Sequence, residues 1–211
     1  MPSVTMCTCG RRGPLYAGRC LRCLGRGRRF GNFTYTAGDP LYHGTYHDFA
    51  RPRLNAQGIL WLTPNPVVAT EYGSPYYVKS PTAFLWTIRL KRGAKVLDLA
   101  DLSQPAIRSL FENQNVRKES TSPFGAWSED YWRQHADFGL LEERGAVPFL
   151  KAKRVDGVTS RDSLATMGIP HDSVALLRLG AIESMEKSVV PRGDNARTIG
   201  EIQRAIDASH R

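Results

Sequence analysis

Cysteine is missing from most of this 211-residue chain, because all four cysteines lie before residue 24. No apolar run has the length of a membrane span, and the amino terminus, MPSVTMCTCGRRGPLY, lacks the apolar core of a secretory signal. These absences argue against a membrane protein and against a secreted, disulfide-bonded one. We therefore expect a cytoplasmic protein without a membrane partner.

Sequence signatures of several large enzyme classes are absent as well. No G-x-G-x-x-G follows a predicted strand, and no phosphate-binding loop ends in Gly-Lys-Ser or Gly-Lys-Thr. The chain has neither a G-x-S-x-G nucleophile elbow nor an H-E-x-x-H metal motif. Internal repeats and low-complexity tracts are also missing. The sequence therefore gives no support for these enzyme classes: dinucleotide-binding, phosphate-loop, serine-hydrolase and zinc-protease folds.

The composition is that of a folded, globular protein. Apolar residues make up 41% of the chain and charged residues 23%, so a core can form and disorder is not expected. Predicted strands outnumber convincing helices and do not alternate with them, which favours an α+β class over a doubly wound sheet. The strands are predicted over residues 83–90, 95–99 and 172–179.

Helical patterns lie between and after these strands. A helix is predicted over residues 103–114, which begin with a capping serine and carry a proline in the first turn. Residues 115–136 predict a loop followed by a short helix. Residues 136–158 predict a helix that runs into a glycine turn and then a strand. A closing helix with a capping box at its start is predicted over residues 198–211.

Positive charge is concentrated at the amino terminus. Residues 1–38 carry seven arginines and no acidic side chain, whereas the remaining chain has 22 basic and 20 acidic side chains and a net charge of only +2. A basic, acid-free segment is suited to the phosphates of a nucleic acid or to another acidic surface. The arginines are Arg11, Arg12, Arg19, Arg22, Arg26, Arg28 and Arg29.

The same segment holds the four cysteines in two close pairs. One residue separates Cys7 from Cys9, and two separate Cys20 from Cys23. Four thiolates on two such turns suit tetrahedral Zn²⁺, so we predict a structural zinc site in an arginine-rich module spanning residues 1–30. The alternatives are two disulfides or unlinked buried thiols. The module either contacts nucleic acid or only docks on the rest of the chain.

Three stretches of the larger domain, residues 31–211, carry a recognisable pattern. LYHGT is followed by GILWLTPNPVVATEYG and then by the strand-like FLWTIRLKRGAKVLDL. In order and spacing these stretches resemble the ADP-ribosyltransferase family, in particular its small H-Y-E-type members of bacteria and their phages. The resemblance covers about residues 40–100. The matching residues are Tyr42, His43, Gly44 and Thr45 in the first motif and Gly58, Trp61, Leu62, Thr63, Ala69 and Tyr72 in the second.

The resemblance implies a split two-sheet α+β fold that takes NAD⁺ as its substrate. His43 would hydrogen-bond the adenosine ribose, and Gly44 would let the nicotinamide amide approach the main chain, where a Cβ atom would collide. Trp61 and Tyr72 would hold the nicotinamide between them, and a cationic ring gains about 0.5–2 kcal/mol there. The other implied contacts are Tyr42, Thr45 and Thr63. The alternative for the last of these is that it only caps the following helix.

The third motif of the family departs from its usual form here. The family places a glutamate at the start of a late strand, and the matching stretch is HDSVALLRLGAI. Counting back from Ile182 puts Ser173 in the glutamate position, with Asp172 beside it. Asp172 is therefore the predicted carboxylate, and it completes a catalytic set with His43 and Tyr72. The alternatives for the carboxylate are Asp156, Asp162 and Glu143.

Two functions follow from these patterns. The first is a mono-ADP-ribosyltransferase that moves ADP-ribose from NAD⁺ to a protein or nucleic-acid acceptor, with the basic zinc module targeting that acceptor. The missing glutamate argues against a chain-extending activity. The second is a nucleic-acid-binding zinc protein whose larger domain is a catalytically inactive relative. For either function, the resemblance implies the cytoplasm of a bacterial cell or of a phage-infected host.

Overall fold

Two β-sheets organise the part of the chain that the computed structural model describes, residues 35–36, 38–73, 82–121, 128–135, 138–143, 145–163, 170–191 and 204. The first sheet is antiparallel with strand order β1-β3-β7, and the second is mixed with order β2-β6-β5-β4. The strands are β1 (Leu41–Thr45), β2 (Leu60–Leu62), β3 (Thr82–Leu90), β4 (Val96–Asp98), β5 (Gly157–Ser163), β6 (Pro170–Leu176) and β7 (Ile182–Pro191).

Five α-helices connect the strands in the described ranges: α1 (Pro66–Gly73), α2 (Pro105–Thr121), α3 (Glu129–His135), α4 (Phe138–Glu142) and α5 (Ala146–Ala152). No helix in these ranges is long and apolar enough to cross a membrane. Gly145 stands between the last two helices with a φ of 97°, a left-handed conformation that favours glycine.

The two sheets pack face to face through an apolar layer. Strands β1 and β3 contribute Leu41, Trp86 and Ile88, while β2 and β6 contribute residues such as Leu60 and Val174. Strand β1 also touches the edge of the second sheet, since the main chains of Tyr42 and Thr63 exchange hydrogen bonds of 2.8 and 2.9 Å. The first motif is thereby held at the junction of the two sheets.

The opposite face of the second sheet is covered by helices. Its apolar layer joins Val158 and Ala175 of the sheet to buried side chains of α2 to α5. Trp132 of α3 is fully buried in this layer, and its Nε1–H donates a 2.8 Å hydrogen bond to the carbonyl of Leu99. Because adjacent strand residues point to opposite faces, β6 sends Val174 toward the first sheet and Ala175 toward the helices.

Most sequence predictions for these elements are confirmed, with shifted ends. The α+β class is confirmed, and strand 83–90 lies within β3. The strand predicted over 95–99 is the shorter β4, and that over 172–179 begins at Pro170 and ends at Leu176. Helix 103–114 instead continues to Thr121, so the predicted loop at residue 115 is wrong.

Two elements of the structure were not predicted from the hydrophobic pattern of the sequence. A second helix, α5, lies between the glycine turn and the strand predicted within residues 136–158. Strand β7 had no prediction, because its side chains are mostly exposed and show no apolar alternation. The closing helix over 198–211, except for Arg204, and the module over residues 1–30 lie outside the described residues.

Candidate functional site

A cavity of about 320 Å³ opens where β1, β2, α1, α4 and β6 meet. Its volume is at the lower end of the range of about 300–1,000 Å³ for small-molecule sites. Most of its wall comes from the two motifs of the amino-acid sequence. The lining residues are Tyr42, His43, Gly44, Trp61, Leu62, Thr63, Ala69, Tyr72, Phe138, Glu142 and Ser173.

His43 is fixed in one orientation by the neighbouring strand. Its Nδ1 lies 2.9 Å from the carbonyl oxygen of Trp61. A carbonyl only accepts, so Nδ1 carries the proton and donates, which leaves Nε2 as an acceptor. Burial lowers the pKa of this imidazole, and the bond to Trp61 offsets that effect only in part. The ring is therefore neutral at pH 7, and its Nε2 can accept a hydrogen bond from a hydroxyl group.

Aromatic side chains form much of the cavity wall. The rings of Trp61 and Phe138 meet edge to face, with centroids 6.4 Å apart and an interplanar angle of 80°. Tyr72 keeps 37% of its surface exposed and lines the cavity. Its hydroxyl lies 3.1 Å from Nε2 of the buried His171, which holds the ring in place. The wall therefore offers stacking surfaces that are positioned before any ligand binds.

Helix α1 is placed by a cap in the loop before it. The side-chain oxygen of Asn65 accepts from the main-chain N–H groups of Val67 and Val68, at 2.9 and 3.4 Å. The hydroxyl of Thr63 in turn accepts from the Asn65 N–H at 3.2 Å. Asn65, which the sequence patterns did not single out, is thus the cap. Thr63 supports that turn and also lines the cavity.

Two predicted site residues are not among those that line the cavity. Thr45 ends β1, and its hydroxyl accepts from the main-chain N–H of His47 at 3.1 Å, which closes a local turn. Asp172 is buried in β6 next to Ser173, but strand alternation places the two side chains on opposite faces. Ser173 therefore faces the cavity, and Asp172 lies on the face that carries Val174.

Two of the alternative carboxylates, Asp156 and Glu143, are not among the residues that line the cavity. Asp156 accepts a 2.9 Å hydrogen bond from the main-chain N–H of Lys95. Glu143 is exposed and does not line the cavity, and the Asp162 side chain is not described. In the described part of the chain, the one carboxylate on the wall belongs to Glu142.

Three residues of the site had no role in the sequence predictions: Phe138, Glu142 and His171. The first two lie four positions apart in α4, so they share a face of that helix. That spacing was readable in the sequence, but nothing local shows which face meets the cavity. His171 precedes Ser173 by two positions in β6, so both side chains point to the cavity side.

The predicted zinc ligands and the arginines of the amino-terminal module lie outside the described residues. Within the described ranges, no three His, Cys, Asp or Glu side chains come together as a metal site. No protein-family model, curated protein or solved structure matches this chain.

Proposed function

We propose that this protein is an NAD⁺-dependent mono-ADP-ribosyltransferase with a split two-sheet transferase fold. The observation that carries the proposal is convergence on one cavity. Residues of the first motif, residues of the second motif and Ser173 from the position of the third motif line the same wall, although 131 positions separate Tyr42 from Ser173. Three sequence motifs without a shared function would not be expected to line the same cavity.

The chemistry of the wall suits the nicotinamide half of NAD⁺. A cationic pyridinium beside Trp61 and Tyr72 gains cation–π stabilisation of about 0.5–2 kcal/mol. The neutral His43 presents Nε2 as an acceptor for a ribose hydroxyl, while Gly44 brings main-chain groups to the wall without a side chain. These groups bind and orient the substrate, and positioning is a large part of catalysis for a substrate that carries its own leaving group.

Glu142 is the carboxylate that we propose for the chemical step. When the bond between nicotinamide and ribose breaks, nicotinamide leaves as a neutral molecule and the ribose becomes cationic. A carboxylate on the cavity wall stabilises that developing charge. Glu142 lines the wall, whereas Asp172 does not, so Glu142 replaces Asp172 in the proposed catalytic set with His43 and Tyr72.

The amino-terminal module supplies targeting in this proposal. The spacing of its cysteines supports a structural Zn²⁺ held by four thiolates, and its acid-free charge supports contact with an acidic acceptor or with nucleic acid.

The test uses NAD⁺ labelled in the adenylate phosphate, the purified full-length chain and a bacterial lysate as the acceptor source. We expect nicotinamide release and transfer of label to an acceptor, both strongly reduced in His43→Ala when NAD⁺ is kept below its Kd. The matched control is His47→Ala, because His47 is an exposed histidine outside the cavity. Equal loss in both variants, or an unlabelled lysate with intact NAD⁺ under all conditions, would contradict the proposal.

A second candidate function is favoured by Ser173. With serine in the position where the family carries glutamate, the larger domain can be an inactive relative in a nucleic-acid-binding zinc protein. That function predicts nucleic-acid binding with no nicotinamide release, whether or not NAD⁺ occupies the cavity.

A further inference from the structure

Seven basic residues lie in three chain segments that come together at the end of the second sheet that is farther from the cavity. They come from the turn between β3 and β4, from the end of α5 with its following turn, and from the segment after β6. We refer to them together as the basic surface: Lys91, Arg92, Lys95, Lys151, Lys153, Arg154 and Arg178.

Hydrogen bonds to the main chain hold these three segments together. Two hydrogen bonds of 2.9 Å join the main chain of Lys95 to Asp156. The Lys95 carbonyl accepts from the Asp156 main-chain N–H, and the Lys95 N–H donates to the Asp156 carboxylate. The Lys95 ammonium donates to the carbonyl of Lys153 at 3.5 Å, and the Arg178 guanidinium donates to the carbonyl of Lys151. The clustering is therefore built into the fold and does not depend on flexible side chains alone.

The basic surface has little negative charge to balance it. Within the segments 91–95, 151–156 and 177–181 the single acid is Asp156, and its carboxylate accepts a hydrogen bond from the main-chain N–H of Lys95. Like charges that lie close together repel, and a bound polyanion removes that repulsion. The larger domain as a whole has 22 basic and 20 acidic side chains, so the rest of it is net negative and its positive charge is concentrated on this surface.

We propose that the basic surface binds the phosphate backbone of a nucleic acid. Exposed Lys and Arg side chains on three neighbouring turns can contact several phosphates of one backbone, and each contact releases counterions. A membrane surface fits less well, because membrane-binding surfaces add apolar side chains that insert into the lipid. In the three segments that form the basic surface, the one large apolar side chain that is exposed is Leu179, at 38%.

This binding is independent of the proposed transferase activity. Ser173 lies in the cavity wall, and Arg178 lies five residues further along the chain, two past the end of β6, which in extended backbone is roughly 16 Å. A nucleic acid on the basic surface therefore leaves the cavity open. The basic surface would hold the protein on a nucleic acid while the cavity stays free to bind its own substrate.

The test measures binding of the full-length chain to a short fluorescent DNA duplex of mixed sequence, and to an RNA of the same length, across a range of salt concentrations. The variant is Arg92→Gln with Lys153→Gln, because both side chains are exposed and neither holds the fold together through a hydrogen bond in the described structure. The matched control is Arg51→Gln with Arg53→Gln, which removes the same charge from exposed positions outside the basic surface.

We expect the variant to bind the better of the two probes roughly tenfold more weakly than wild type, with the slope of log K against log salt reduced by about two. The control should keep the wild-type slope. Equal binding by variant and control would overturn the proposal. Tight binding to vesicles that contain anionic lipid, without binding to either nucleic acid, would overturn it as well.

Discussion

Two substitutions at His43 separate the two roles that its ring plays. In the structure Nδ1 donates to the carbonyl of Trp61, and Nε2 remains as an acceptor at the cavity. The side-chain amide nitrogen of asparagine takes about the position of Nδ1 in histidine. His43→Asn therefore keeps the donor to Trp61 and removes the acceptor, whereas His43→Ala removes both.

The magnitudes follow from the hydrogen bonds that each change removes. Loss of the Nε2 acceptor should weaken NAD⁺ binding by about 1–2 kcal/mol in both variants, a factor of about 5–30 in Kd. Only His43→Ala leaves the partly buried Trp61 carbonyl without its donor, so it alone should lower the free energy of unfolding, by about 1 kcal/mol.

Calorimetric titration with NAD⁺ measures the first effect, and urea unfolding followed by tryptophan fluorescence measures the second. His47→Asn serves as the control, with wild-type values expected in both experiments. The reasoning is refuted if His43→Asn binds NAD⁺ as tightly as wild type, since Nε2 would then have no part in the site. Equal destabilisation by Asn and Ala would refute the assigned tautomer.

Three further predictions concern the same chain. Glu142→Gln should leave NAD⁺ affinity unchanged and reduce the rate of nicotinamide release by about 100-fold or more, because the carboxylate acts on charge that develops only in the transition state. Glu143→Gln is the control. A wild-type rate in Glu142→Gln would remove Glu142 from the mechanism. Tyr72→Ala should weaken NAD⁺ binding by about 0.5–2 kcal/mol through lost stacking, as measured by titration, and unchanged affinity would mean that the ring only packs. Burial lowers the pKa of folded His43, so as the pH falls the unfolded chain takes up this proton before the folded chain does. The free energy of unfolding should therefore fall as the pH drops below about 6.5 and level off below the lowered pKa. Urea unfolding of His43→Asn should lack that part of the pH dependence, and a pH profile identical to wild type would contradict the prediction.

Metal analysis tests the amino-terminal module in the same preparations. About one Zn²⁺ per chain is expected after native purification, with the thiols protected from alkylation until the metal is removed. Freely alkylated thiols in a protein without metal would contradict the predicted site. The ligands expected in that experiment are Cys7, Cys9, Cys20 and Cys23.

Strong local signals account for the elements that were predicted correctly. From Trp86 to Leu90, strand β3 alternates between buried and less buried positions, and it is rich in aromatic and β-branched residues, so its pattern there matches its environment. Strand β7 pairs with β3 over most of its length, yet its own side chains are largely exposed. A strand that is held by main-chain hydrogen bonds at the edge of a sheet leaves little trace in hydrophobic periodicity.

The amino-acid sequence by itself determined the α+β class and the cluster from Tyr42 to Tyr72, because residues within one motif are positioned by local turns and short spacings. It also singled out Ser173, and the structure has this residue in the cavity lining. Only the tertiary structure shows which of the described carboxylates lies on the cavity wall. The pleat of β6 turns Asp172 to the other face, and the packing of α4 against Trp61 brings Glu142 to the wall. Both outcomes depend on which faces of distant elements meet, and side-chain direction across such contacts is not encoded in local spacing.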